Sequence, residues 1–358
     1  LVLITGGLGP TDDDLTRQGF AKFFGTELLL QNELLRKIED FFAKRNLQMP
    51  AKNKIQAYIP AGAKALVNNL GTAPGIMAEI SGRLFAAMPG VPSEMKQMFE
   101  EAVLPELLQL LDGRAVVVKK LRCFGTGESN IAEMLGSLMN RGRNPLINCT
   151  ASYSVITLHI IATAEDRDKA QRMAERDEKI LTELLGELVY GTGRQTLAEV
   201  VGEKLAQQNK TIAVAESCTG GTLAKLLTDI PGASGYFTHG WITYSNAAKT
   251  SELGVPADLI ENYGAVSEQT AAAMARCARK KAGTAFAIGI TGIAGPSGGS
   301  EQKPVGLVYI SVDSANGCET RHFIFSHVRI QAKRRDRDSI RLHAAQTALN
   351  MLRLKLQI

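Results

Sequence analysis

The stretch Ala215-Glu216-Ser217-Cys218-Thr219-Gly220-Gly221 puts a serine where the apolar run Thr211-Ile212-Ala213-Val214-Ala215 gives way to Leu223, Leu226 and Leu227 at helical spacing. The pattern reads as strand, turn and helix, with Ser217 in the turn. The first N–H groups of a helix have no intrahelical acceptor, so they suit either a phosphate or the oxyanion of an acyl-transfer intermediate. A serine N-cap on an ordinary strand-to-helix turn is the other use of the same residues. As a nucleophile, the hydroxyl needs a base to take its proton. His239 lies in a run, Gly235 to Tyr244, that alternates like a half-buried strand, where a lone histidine is structural. The better partners are Tyr244 and Lys249, where that strand ends and a short helix begins. A lysine desolvated near such a site loses its proton closer to neutral pH and can act as the base; a solvated surface lysine is the alternative.

Two further stretches bear on the same chemistry. The apolar strand Ala285 to Ile290 runs into a glycine-rich loop, Thr291 to Gly306, with prolines at 296 and 304. Ligands of open α/β sheets sit beyond the carboxyl ends of strands, and this loop and the Ser217 turn both leave strands at that end. A plain glycine-rich connection is the simpler reading. The basic run Lys333-Arg334-Arg335-Asp336-Arg337-Asp338-Ser339-Ile340-Arg341 opens the last helix. Its arginines suit bidentate capture of a phosphate, or form a solvated charged face.

Taken together over residues 194–358, these motifs, with Gly264-Ala265-Val266-Ser267 between them, resemble the C-terminal domain of the CinA family, the nicotinamide mononucleotide amidohydrolases. The resemblance implies hydrolysis of the carboxamide of nicotinamide mononucleotide to nicotinic acid mononucleotide and ammonia. It implies Ser217 as nucleophile with Lys249 and Tyr244 handling its proton, and Cys218, Thr219, Gly220, Gly295 and Arg337 around the substrate. Arg337 is the phosphate ligand on this reading, and no metal or other cofactor is needed. Cys218, beside the nucleophile, is a reactive candidate in its own right, although Ser217 better matches the family role.

The amino end carries different chemistry. Leu1-Val2-Leu3-Ile4-Thr5 reads as a buried strand of a parallel sheet, which needs neighbours on both sides, so further sequence is expected upstream. Gly6-Gly7-Leu8-Gly9-Pro10-Thr11-Asp12-Asp13-Asp14 follows as a glycine turn into an acidic helix start. The acid alone fits a capped helix; at the end of a strand it also suits a hard divalent cation carrying a substrate phosphate. A second strand, Leu84 to Met88, runs into Pro89-Gly90-Val91-Pro92-Ser93-Glu94. This pair of motifs resembles the molybdopterin-binding fold in the version fused to the amidohydrolase of CinA proteins. The resemblance implies a divalent-metal-dependent ADP-ribose pyrophosphatase. It places Asp14 and the nucleotide-binding turn of Gly6, Gly7 and Gly9 in that site, with Asp13 and Glu94 as further metal candidates. The family pattern has opening strands before Leu1.

Between the two, strands at Val116 to Phe124 and Ser154 to Thr163 and helices opening at Gly127 and Glu165 make a small α+β module, which resembles the KH-like domain of the same family. The KH backbone clamp is a Gly-X-X-Gly loop; Gly125-Thr126-Gly127 has the wrong spacing, so the module reads as structural. With 358 residues and 45% apolar composition the chain suits two or three packed domains. The expected class is α/β: a molybdopterin-binding-like domain lacking its first strands (1–111), a KH-like linking domain (112–192) and an amidohydrolase domain (193–358), the outer two three-layered. A net charge of +5 fits anionic small molecules, here nucleotides, and not a nucleic-acid face. Five scattered cysteines fit neither zinc knuckles nor a disulfide framework and point to a reducing cytoplasm. No apolar run is long enough for a membrane span. The resemblance adds a homo-oligomer, a dimer, as the expected assembly. A chain acting chiefly as a metal-dependent nucleotide pyrophosphatase, or as a nucleotide-binding scaffold in competence, are the alternatives.

Overall fold

The computed structural model describes residues 1–109, 113–325 and 333–356, arranged as two compact units, Leu1–Gly113 and Arg114–Ile358. In the first unit the elements run β1 (Val2–Thr5), α1 (Thr16–Phe24), β2 (Leu28–Leu30), α2 (Asn32–Ala43), β3 (Tyr58–Pro60), β4 (Lys64–Leu66), β5 (Gly75–Ile80), β6 (Arg83–Met88), α3 (Pro92–Met98) and α4 (Leu104–Gln109). The main sheet has the order β1-β6-β5-β4, with β1 parallel to β6 and the others antiparallel; β2 and β3 pair separately. Alternation along β6 divides the core. Ala87 faces a cluster with Leu8, Phe20, Leu34 and Ile38, while Ala86 and Met88 face Met98 and Val103 on the other side. The result is helix, sheet and helix in three layers.

Strand β1, expected to be buried, lies at the sheet edge, paired among the described residues with β6 alone, and Leu1, Val2 and Leu3 are exposed.

In the second unit, a module of β7 (Ala115–Phe124), α5 (Glu128–Leu135), β8 (Leu146–Ser152), β9 (Val155–Ala164), α6 (Arg167–Leu185) and β10 (Val189–Thr192) forms the antiparallel sheet β10-β7-β9-β8. Ile131 and Leu135 of α5 and Ala170, Ala174, Leu181 and Leu185 of α6 cover one face of it.

The chain continues through α7 (Leu197–Gln207), β11 (Ile212–Glu216), α8 (Thr222–Thr228), β12 (Phe237–Ile242), α9 (Asn246–Ala248), a π-helical turn at Lys249–Leu253, α10 (Ala257–Tyr263), α11 (Glu268–Ala282), β13 (Phe286–Gly292), β14 (Leu307–Ser314), β15 (Gly317–Ile324) and α12 (Lys333–Lys355). Its sheet order is β12-β11-β13-β14-β15; β12, β11 and β13 are mutually parallel, so their carboxyl ends meet at one edge of the sheet. Ile212 and Val214 of β11 join a core with residues of α7, α8 and α12, while Ala213 and Ala215 face α10 and α11. Among the described residues, no helix is long and apolar enough to cross a membrane.

Candidate active site

The site gathers where β11, β12 and β13 end, and strand alternation decides its first detail. Glu216 follows Val214 by two residues and so points to the α8 side of the sheet. There its buried carboxylate accepts the N–H groups of Gly221 and Leu223 at 3.0 and 3.1 Å through Oε2, and that of Ala224 at 2.8 Å through Oε1. The orphan donors of α8 are therefore taken. The expectation that they hold a substrate oxyanion or phosphate gives way to an internal cap, and Ser217 is not the N-cap: that position is Gly221, in the left-handed region at φ 92°. Ser217 instead sits in the turn before the helix, its own N–H donating to the Ile290 carbonyl of β13 at 3.0 Å. The next two N–H groups, of Cys218 and Thr219, make no backbone hydrogen bond among the described residues.

Lys249 reaches the same turn. Ser245 accepts the Ala248 N–H at 3.1 Å and starts the short α9, which delivers Lys249 inward from the end of β12. Its side chain is 1% exposed, with Nζ 3.1 Å from Ser217 Oγ and 2.9 Å from the Thr243 carbonyl, to which it donates. Burial pulls its pKa below the ordinary 10.5, because a charged ammonium loses hydration there. The hydroxyls of Thr219 and Thr243 are buried beside this pair without a partner among the described residues. Buried hydroxyls are normally paired, so these are unfilled hydrogen-bonding positions.

Tyr244 stands apart. It is exposed, and its hydroxyl accepts from Arg337 Nη2 at 2.7 Å, with no hydrogen bond to Ser217 or Lys249. The lysine contacts the serine directly, so a relay through the tyrosine has no place in this geometry. Arg337 also donates to the Gly295 carbonyl, which brings the expected residues Tyr244, Gly295 and Arg337 together. Gly295 has φ 69°, and a Cβ there would lie 2.4 Å from Val305, so only glycine fits. Cys218 is corrected as a reactive group: it packs in the core and burial raises its thiol to about 12. His239 stacks on Trp241 along the exposed β12, away from the serine.

Two contributors escaped the sequence reading. Glu216 was part of the motif without a role of its own. Arg341 donates twice to the Thr219 carbonyl, at 3.0 Å through Nε and 2.9 Å through Nη2, and packs against Gly220. Its signal was available: Arg337 and Arg341 are four apart, on one face of a helix.

The amino-terminal candidates do not converge in this way. Gly7, at φ 69°, lies so close to Thr16 that a Cβ would meet its hydroxyl at 2.2 Å, and the Gly6 N–H donates to Met88. The turn through Gly9 is held by the buried Arg17, which donates to the carbonyls of Leu8 and Gly9 at 2.6 Å each. Asp14, however, accepts the N–H and hydroxyl of Thr11, and these bonds hold its pKa below the usual carboxylate value. Glu94 accepts from Asn68 at 2.7 Å, and Asp13 is exposed. No three His, Cys, Asp or Glu among the described residues form a group able to hold a metal ion. Asp13, Asp14 and Glu94 are not brought together into such a group.

The description CinA C-terminal domain matches residues 194–356, Damage-inducible protein CinA KH domain matches 118–191, and Probable molybdopterin binding domain matches 1–109. A CinA-like protein of Kosmotoga olearia is 42% identical over 353 residues, covering 99% of this chain and 84% of that protein. One from Dictyoglomus thermophilum is 40% identical over the same length and coverage. Among solved structures, the competence/damage inducible protein CihA from Agrobacterium tumefaciens is 39% identical over 45% of this chain and 94% of its own, with a TM-score of 0.42.

Proposed function

The chain belongs to the CinA family, and from that premise we propose that residues around Ser217 hydrolyse the carboxamide of nicotinamide mononucleotide to nicotinic acid mononucleotide and ammonia. The observation that carries this reading is the contact of Ser217 Oγ with a fully buried lysine amine of lowered pKa. Neutral Lys249 takes the Ser217 proton as Oγ attacks the carboxamide carbon. The carbonyl oxygen becomes an oxyanion in reach of the uncommitted N–H groups of Cys218 and Thr219. When the tetrahedral intermediate collapses, the carbon–nitrogen bond breaks and protonated Lys249 gives its proton to the departing amine, releasing ammonia. A water molecule then loses a proton to Lys249 and attacks the acyl-enzyme; as the ester carbon–oxygen bond breaks, Lys249 gives that proton to Ser217 Oγ, and the carboxylic acid leaves and ionises by releasing its proton to solvent. Arg337 uses two of its five donors within the protein, which leaves others for the substrate phosphate.

The test is ammonia release from nicotinamide mononucleotide by the full chain with a chelator present, beside Ser217→Ala. The parent should turn over, and the variant should fall by about three orders of magnitude or more while still binding the mononucleotide. Equal release by both would remove Ser217 from the chemistry, and release by neither would remove this substrate.

A further inference from the structure

The glycine-rich loop 291–306, which presents the Gly295 carbonyl to Arg337, is anchored at both limbs on one short stretch of chain. On the near limb the buried Thr291 donates through Oγ1 to the Ala265 carbonyl at 2.6 Å. On the far limb Lys303 donates through Nζ to the Val266 carbonyl at 2.8 Å and to the Tyr263 carbonyl at 3.4 Å. The Gly264 carbonyl between them is taken by the hydroxyls of Ser267 and Thr270, at 2.9 and 2.7 Å. Four consecutive carbonyls thus accept side-chain donors, and one lysine meets two of them. Tyr263 ends α10, so Lys303 also takes up a carbonyl that the helix itself leaves open. Gly264, at φ 82°, lets the ammonium in, for Nζ lies 3.1 Å from where a Cβ would stand.

Packing couples this far limb to Gly295. Ser300 and Lys303 close the tip of the loop on itself: the Ser300 N–H donates to the Lys303 carbonyl at 2.9 Å, and the Lys303 N–H to Ser300 Oγ at 3.1 Å. Two residues on, Val305 fills the space that Gly295 and Gly299 leave. Cβ atoms at those glycines would lie 2.4 Å from its Cγ1 and 3.0 Å from its Cγ2. Groups packed this closely transmit a shift instead of absorbing it. Movement of Lys303 is therefore passed through Val305 to Gly295, and from the Gly295 carbonyl to the guanidinium it holds. The reacting pair is anchored elsewhere, Ser217 on the Ile290 carbonyl and Lys249 on the Thr243 carbonyl.

We infer that Lys303 is a positioning residue for the substrate phosphate: its ammonium latches the 291–306 loop to the carbonyls of residues 263–266 and so holds Arg337 ready for an anionic group. The inference rests on the amide hydrolysis proposed above, with Arg337 as the phosphate ligand. It divides the site into a reacting part, which does not need the latch, and a phosphate-binding part, which does.

The experiment compares the full chain with Lys303→Met, which keeps the stem and removes the donors, and with Lys303→Arg, whose fork can serve two carbonyls. Deuterium exchange is read first, because it needs no substrate. In Lys303→Met the Ser300 and Lys303 amides should exchange about ten-fold faster, with β11 and β13 as protected as in the parent. On nicotinamide mononucleotide the same variant should raise KM by about ten-fold, the worth of about one hydrogen bond to a charged group, at unchanged kcat. Lys303→Arg should keep exchange and KM within about two-fold of the parent. In an Arg337→Ala background Lys303→Met should move KM by less than about two-fold, because the group it positions is gone. Unchanged exchange in Lys303→Met overturns the latch, whether or not the amide is hydrolysed. Faster exchange with an unchanged KM, a fall in kcat alone, or a full additional effect in Arg337→Ala overturns its link to phosphate. Ammonia release by none of the proteins, the parent included, removes the amide reading and that link with it, while the exchange rates still decide the latch.

Discussion

Glu216 is the position at which the structure makes its most quantitative demand. A buried carboxylate accepting three backbone N–H groups at 2.8–3.1 Å substitutes for the side-chain cap that α8 lacks. Hydrogen bonds to a charged group contribute about 1.5–3 kcal/mol each, and a carboxylate at a helix N-terminus adds up to about 1 kcal/mol. In Glu216→Gln the best orientation leaves the amide oxygen where Oε2 was, serving Gly221 and Leu223, and turns the NH2 group against the Ala224 N–H. One bond is lost, the remaining two weaken and the charge is gone, for a cost of about 2–4 kcal/mol. Glu216→Ala orphans all three donors. Water entering the space recovers part of the loss, so about 4–6 kcal/mol is expected, a large share of the stability of an ordinary domain.

Urea unfolding of the two variants beside the parent measures both values, with the thermal midpoint falling by about 2–4 °C per kcal/mol in a unit of this size. A second readout separates the cap from general packing. Glu216→Met keeps the volume and removes every acceptor, so it should resemble Glu216→Ala. A cost below about 0.5 kcal/mol for Glu216→Gln, or a methionine variant as stable as the glutamine one, would refute the internal cap.

Lys249 must be neutral to act as a base, so kcat/KM for the amide should rise with pH through a pKa below 10.5 and level off above it. Lys249→Arg, which cannot deprotonate, should lose about three orders of magnitude at every pH; a variant regaining activity at high pH would exclude the lysine as the base. Arg341→Met frees the Thr219 carbonyl and should lower kcat by about ten-fold with little change in KM, because it loosens the N–H groups that meet the oxyanion; a pure rise in KM would make it a substrate contact instead. His343 has a folded-state pKa of about 4 against 6.5 for the free side chain, so the unfolded chain binds the extra proton between those values. Stability is full above about pH 6.5 and declines as pH falls toward 4, by about 3 kcal/mol in total. His343→Gln should flatten that limb of the unfolding curve, and an unaltered limb would assign the acid sensitivity to other groups.

The elements that build the candidate site were legible because their signals are local. Four apolar residues before Glu216 and leucines after the glycines can only be read as a strand and a helix, and the two strand ends that carry the Ser217 turn and the 291–306 loop do lie side by side and parallel. What was not legible is what each polar side chain does with its neighbours. The carboxylate of Glu216 reaches N–H groups five to eight residues ahead, outside the spacing of a capping box, so no sequence rule assigns it. Lys249 differs from a surface lysine only by burial, which depends on α9 turning inward after an edge strand. Asp14 and Glu94 followed strands just as Ser217 did, yet each accepts from a different neighbour, Thr11 and Asn68, and they form no group of three metal-ligating side chains among the described residues. Position at a strand end is thus a necessary feature of such a site and not a sufficient one.

Helix α12 shows how much a single element can carry beyond its local pattern. Ala344, Ala345 and Ala348 are fully buried and let its backbone lie close to the sheet, against α7, α8 and β14. With that stripe fixed, Arg337 and Arg341 are held over the Ser217 turn, and His343, Thr347, Asn350 and Leu354, at positions i, i+4, i+7 and i+11, form one face toward a cavity against the small antiparallel module. The helix joins the two places as a rod, so a displacement of its cavity face is transmitted to the arginines without any change in the sheet. Replacing Ala348 by a larger residue tests this directly: Ala348→Leu must lift the helix, and it should impair amide hydrolysis, whereas unchanged hydrolysis would show that the arginine end of α12 moves independently of the rest.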